Sequence, residues 1–100
     1  MDVTKEISQG TYNITLSGKF TFSDHPVFRE IVQNIGDRIV QKVIIYMSKV
    51  EFVDSAALGM LLLARDEAEK YQKPITLCGA SGQVRKMFDL ARFNTLFAMN

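Results

Sequence analysis

Apolar and polar positions alternate between Tyr12 and Ser17: Tyr12, Ile14 and Leu16 are set against Asn13, Thr15 and Ser17. A period of two marks a strand with one buried face. Val3 to Ile7 is a weaker strand before it, and Ser8-Gln9-Gly10-Thr11 reads as the turn of an opening hairpin. Gly18 is expected to end the second strand. Lys19-Phe20-Thr21-Phe22 follows as an apolar connector whose two rings share a side if extended. The period then changes. Ser23, Asp24 and Pro26 suit a helix start, Phe28, Ile31, Val32 and Ile35 recur at helical spacing with Ile39 as a further candidate, and the helix is expected to end at Gly36 or just beyond it. Val43-Ile44-Ile45-Tyr46-Met47 is the strongest strand signal, five residues of mainly β-branched and aromatic type. A second helix is expected from Ser55 to about Tyr71, stopped by Gln72-Lys73-Pro74. Ile75–Cys78 is a short strand ended by Gly79. Ser81 can cap a third helix with Val84, Met87, Phe88 and Ala91 on one face. Asn94 suits a left-handed helix end, and Leu96 to Met99 a closing strand. Strands and helices alternate after the hairpin. This predicts one α/β domain over residues 1–100, with a mixed sheet of four to five strands and about three helices.

The stretch from Val50 to Leu63 organises the chain. It is expected to run from an apolar loop through Asp54-Ser55 into good helix formers, Ala56 to Ala64. Asp54 is placed to cap the helix. Ser55 then sits in the first turn, near unpaired N–H groups and the positive end of the helix dipole, where a phosphate is favourable. Serine is also simply common at helix starts. Gly59 lies within the helix at a cost of about 1 kcal/mol relative to Ala. That points to close packing inside the domain or close approach by a partner, with packing the simpler reading. Met60, Leu61, Leu62 and Leu63 cannot all face one sheet. Either some are exposed for a partner, or the helix is covered on several sides. Leu58 and Leu62 share a face with the stem of Arg65 and are expected to be buried.

Composition narrows the function. Apolar residues make up 47% of the chain, enough for a core. The charge is +1, from 12 basic and 11 acidic residues, which argues against a basic nucleic-acid face. No apolar run is long enough to span a bilayer, and the polar start lacks a signal core, so no membrane insertion or secretion is expected. The single cysteine, Cys78, is expected to be a reduced, mostly buried hydrophobe, consistent with a cytoplasmic setting. His25 has no Cys or His companion for metal ligation. No catalytic or phosphate-loop signature is present, and Gly79-Ala80-Ser81-Gly82 lacks a P-loop lysine. No cofactor and no enzymatic activity are expected.

Phe52-Val53-Asp54-Ser55-Ala56-Ala57-Leu58-Gly59 resembles the D-S-[ST/A]-G-L-G segment of STAS domains, the anti-sigma factor antagonist family, with Ala57 where the family usually has Gly. The order of strands and helices also fits, over nearly the whole chain. The resemblance implies a STAS-like domain and a phosphorylation-controlled protein-binding switch. Ser55 would be the acceptor, and Asp54, Ser55, Ala56, Leu58, Gly59 and Leu61 the partner surface. It implies as partners an anti-sigma factor with serine kinase activity and a PP2C-type phosphatase. A different reading is a STAS-like structural subunit without phosphorylation, for example of a lipid transport system. A small enzyme is disfavoured, because no nucleophile–base pair can be named.

Overall fold

The computed structural model describes residues 1–100. The hairpin forms as expected, from β1 (Asp2–Ser8) and β2 (Thr11–Phe20), antiparallel with Val3 opposite Leu16. A 3-10 turn at Phe22–Asp24 leads into α1 (His25–Asn34). Then come β3 (Lys42–Val53), α2 (Ser55–Lys70), β4 (Ile75–Cys78), α3 (Gly82–Leu90), a second 3-10 turn at Phe93–Thr95 and β5 (Ala98–Met99). The five strands lie in the order β1-β2-β3-β4-β5, with every pair after the hairpin parallel. Right-handed crossovers taken always in one direction put all three helices on the same face. Burial agrees: Tyr12, Ile14, Leu16, Val43, Ile45, Met47, Ile75 and Leu77 are buried. Their neighbours Asn13, Thr15, Ile44, Tyr46, Thr76 and Cys78, on the other face, are only half-buried. Cys78 is therefore less enclosed than its apolar surroundings in sequence imply.

Several expectations are corrected. Gly18 does not end β2. It takes a φ of 85°, a conformation only glycine adopts without strain, and the register slips around it, between Thr15 and Ser17 and between Gly18 and Lys19. These irregularities absorb the broken alternation and let β2 run on to Phe20. Phe20 and Phe22 consequently part company: Phe20 is fully buried against Phe28, and Phe22, turned out by the 3-10 turn, is 69% exposed. Val50 to Val53 is strand rather than loop, because β3 continues beside the lengthened β2. Ile39 is exposed beyond the end of α1. The left-handed residue after α3 is Arg92, with a φ of 57°, and not Asn94. Ala91 is exposed at the helix end, and Ser81 occupies the N-cap position of α3 without a side-chain cap bond.

α1 and α2 pack on each other, and α2 buries Ala57, Met60, Leu61, Ala64 and Ala68 against the sheet and α1. Lys73 secures the far end of α1. Its ammonium donates to the carbonyls of Ile35 at 2.6 Å and Asp37 at 2.9 Å, a favourable place for a cation at a helix C-terminus.

Candidate functional site

The site is assembled where β3 ends and α2 begins, at the carboxyl end of a parallel strand. Asp54 is extended, with a φ of −100°, so its carboxylate can fold back on the helix it precedes. Oδ1 accepts from the Ala57 backbone N–H at 2.8 Å, the N-cap bond expected from sequence. Oδ2 accepts from the backbone N–H of Phe22 at 3.1 Å. One carboxylate thus caps α2 and ties the turn between β2 and α1 to it. Each oxygen accepts one backbone N–H, so Asp54 has a structural role at this junction. Asp54→Ala should cost about 1 kcal/mol for the cap and about 1 kcal/mol for the lost partner of Phe22. A urea titration would read the sum as a lowered midpoint.

Ser55 is exposed in the first turn, and Ala56 is half-buried beside it. Two further ties hold this end of the molecule. Gln83 of α3 accepts from the Val53 N–H at 3.0 Å and donates to the Val53 carbonyl at 2.9 Å, pinning the strand end just before Asp54. Asp24 accepts from the Thr21 N–H at 2.9 Å and from the N-terminal ammonium at 3.3 Å, fixing the turn that carries Phe22. Neither Gln83 nor Phe22 was expected to matter. Nothing in the sequence marks Gln83. For Phe22 there is a signal: Thr21-Phe22-Ser23-Asp24 has the spacing of a capping box, which starts a helical turn one residue after Thr21.

Along α2, Ser55, Gly59 and Leu63 are exposed and four residues apart, so they form one stripe. Leu58 and Leu62 are half-buried beside it. Leu61, grouped with the partner surface by the resemblance, is fully buried and belongs to the core. Leu58 and Leu62 were assigned to the buried face, but the helix turns its small residues to the sheet, and both leucines sit at the margin. Of the four apolar residues in a row, Met60 and Leu61 face inward and Leu63 is 53% exposed. Gly59 does not pack inside the domain: a Cβ built there meets nothing within 4 Å. Gly59→Ala should therefore stabilise the fold by about 1 kcal/mol through helix propensity, raising the melting temperature by about 4–8 °C in a domain of this size. A melting temperature at or below that of the wild type would show a hidden constraint at this position.

Comparisons with known proteins agree with this fold. A family model described as Mlab, STAS domain, matches residues 3–98. The chain belongs to the STAS domain family. It is 32% identical over 87 residues to a STAS-domain containing protein of Pseudomonas aeruginosa, covering 87% of this chain and 85% of that one. Among solved structures it resembles an anti-sigma factor antagonist from Mycobacterium paratuberculosis, with a TM-score of 0.85 at 17% identity over 98% of this chain and 83% of that one. It also resembles the Bacillus cell fate determinant SpoIIAA in its phosphorylated form, with a TM-score of 0.78 at 21% identity over 99% and 91%. These likenesses establish the STAS fold. No helix of this STAS domain is long and apolar enough to cross a membrane.

Proposed function

We propose that this STAS domain is a phosphorylation-controlled protein-binding switch of the anti-sigma factor antagonist type, acting by binding and not by catalysis. The observation that carries this reading is the exposed hydroxyl of Ser55 at the start of α2, in line with exposed Gly59 and Leu63. An acceptor serine must be reachable by a kinase, and this one is. The stripe below it is open to a partner, and an internal glycine that packs against nothing in its own domain suits close approach by another chain. SpoIIAA, which shares the fold, has been solved in unphosphorylated and phosphorylated forms.

In this reading the unmodified domain binds an anti-sigma factor with serine kinase activity through Asp54, Ser55, Ala56, Leu58 and Gly59. A PP2C-type phosphatase resets it, and the exchange takes place in the cytoplasm. Phosphorylation adds a charge of about −1.5 to −2 next to the Asp54 carboxylate. Contacts fitted to a neutral hydroxyl then meet like-charge repulsion, with no refolding required.

Intact-mass measurement of protein purified from its own cells tests the modification: one added phosphate on wild type and none on Ser55→Ala are expected. A pull-down with both forms tests the partner. The exposed Gly59 stripe also suits a permanent partner, as in a structural subunit of a lipid transport system. Absence of phosphate at every growth stage, with one constant partner, would replace the switch by that second reading.

A further inference from the structure

A groove of about 150 Å³ opens between α1 and α2, lined by His25, Phe28, Arg29, Val32, Met60 and Leu63. We propose that this groove anchors an acidic amphipathic helix of the protein partner, with one large apolar side chain filling it and a neighbouring carboxylate meeting Arg29. The proposal deepens the docking reading of α2 and rests on it.

The size of the groove indicates what enters it. An enclosed apolar cavity of about this volume takes a benzene-sized group, and four of the six residues lining this open groove are apolar, so its size suits a single Phe or Leu. The floor is apolar: Phe28 and Met60 are 1% and 4% exposed, and Val32 is half-buried. Its wall is Leu63, 53% exposed. One turn along, Gly59 offers no side chain to hold a partner backbone away. At the other end Phe22, 69% exposed, lies against the His25 ring with centroids 6.3 Å apart, which extends the apolar surface past the groove.

Charge indicates what flanks the anchor. No acidic residue lines the groove. Three nearby acidic groups are already engaged, Glu30 by Lys5 at 3.2 Å, Asp24 by the N-terminus at 3.3 Å, and Asp54 by two backbone donors, and Glu67, one turn beyond Leu63, is not among the groove's lining residues. Arg29 is exposed and takes part in none of the chain's ion pairs, leaving a rim cation for a partner carboxylate. An apolar anchor with an acid one turn away describes one face of an amphipathic helix, and helices seat in grooves in this manner. Such a partner is acidic where it meets the groove.

The test uses the full chain, isotope-labelled for NMR, and a designed amphipathic helical peptide with one Phe and a Glu one turn from it. Saturable shifts are expected at Met60 and Leu63. Replacing the peptide Phe by Ala should weaken binding by at least about tenfold, as for a central anchor. Replacing its Glu by Lys should weaken binding by about three- to fivefold, the range of an exposed ion pair. Arg29→Glu should reverse that preference, and thermal melts will confirm that this exposed substitution leaves the fold intact. Unsaturable shifts, indifference to loss of the Phe, or equal binding of the Glu and Lys peptides would overturn the proposal. Ser55 lies eight residues from Leu63 along α2, about 12 Å, beyond the screening length of about 8 Å at physiological salt. Ser55→Asp should therefore leave peptide binding unchanged. If that variant also keeps its natural partner, the switch fails and the groove stands.

Discussion

Leu61→Ala is expected to lower stability by about 2–5 kcal/mol, the largest loss among alanine substitutions of the four leucines of α2. Its side chain is fully enclosed, between the sheet and the packed helices, and its removal leaves a cavity that the surrounding β3 and α2 backbone cannot close. Leu58→Ala and Leu62→Ala remove the same atoms from half-buried positions and should cost about 1–2 kcal/mol each, in proportion to the area they bury. Leu63→Ala, at an exposed position, should change stability by less than about 0.5 kcal/mol. A domain of this kind has only about 5–15 kcal/mol in total, so Leu61→Ala moves the denaturant midpoint far while Leu63→Ala leaves it nearly in place. Urea titrations of the four variants give the ranking. If Leu58→Ala or Leu62→Ala cost as much as Leu61→Ala, the helix would be rotated from the orientation described here.

This ranking was not legible in the sequence, and the reason is physical. α2 is apolar nearly all round its first half, so helical periodicity has no minimum from which to fix a face. Helical spacing groups Leu58 and Leu62 with the stem of Arg65, but with no polar face to oppose it that grouping does not say which side meets the sheet. The helix instead approaches the sheet through Ala57, Ala64 and Ala68, with Met60 and Leu61 filling the space between them. Small residues allow close approach, and the bulky ones on either side are left at the margin or outside. The same absence of a polar face that hid the orientation is what leaves Leu63 free for the groove.

Elements with a clean period were legible, as the alternation of Tyr12 to Ser17, the spacing of Phe28, Ile31 and Ile35, and the run from Val43 to Met47 all show. Strand ends were not. The register slips near Gly18 cost the alternation, so β2 and β3 ran past their expected limits as a pair, each continuing because the other did. Asp54 was legible as a cap because capping is local, three residues in reach. Its second bond, to Phe22 across a separation of 32 residues, and the grip of Gln83 on Val53 across 30 residues are products of the fold. No local pattern carries them.

Ser55→Asp and Ser55→Glu are expected to weaken partner binding by about 1–3 kcal/mol while leaving the fold as stable as wild type or slightly more so. The two effects come from one place. A carboxylate at position 55 stands in the first turn of α2, where an acidic group gains about 0.3–1 kcal/mol from the helix dipole. That gain offsets repulsion from Asp54, whose own oxygens are held by Ala57 and Phe22. Within an interface the same charge is desolvated beside a second carboxylate and faces a partner surface fitted to a neutral hydroxyl, so the loss appears only in the complex. Ser55→Ala keeps a small neutral group and should bind like wild type while accepting no phosphate. Titration calorimetry against the captured partner, with thermal melts of all variants, separates the two quantities. Equal affinity of Ser55→Asp and Ser55→Ala would remove the electrostatic basis of the switch even if Ser55 were phosphorylated. A binding loss matched by an equal stability loss would show instead that the charge had broken the link from Asp54 to Phe22, placing the effect in the fold and not at the interface.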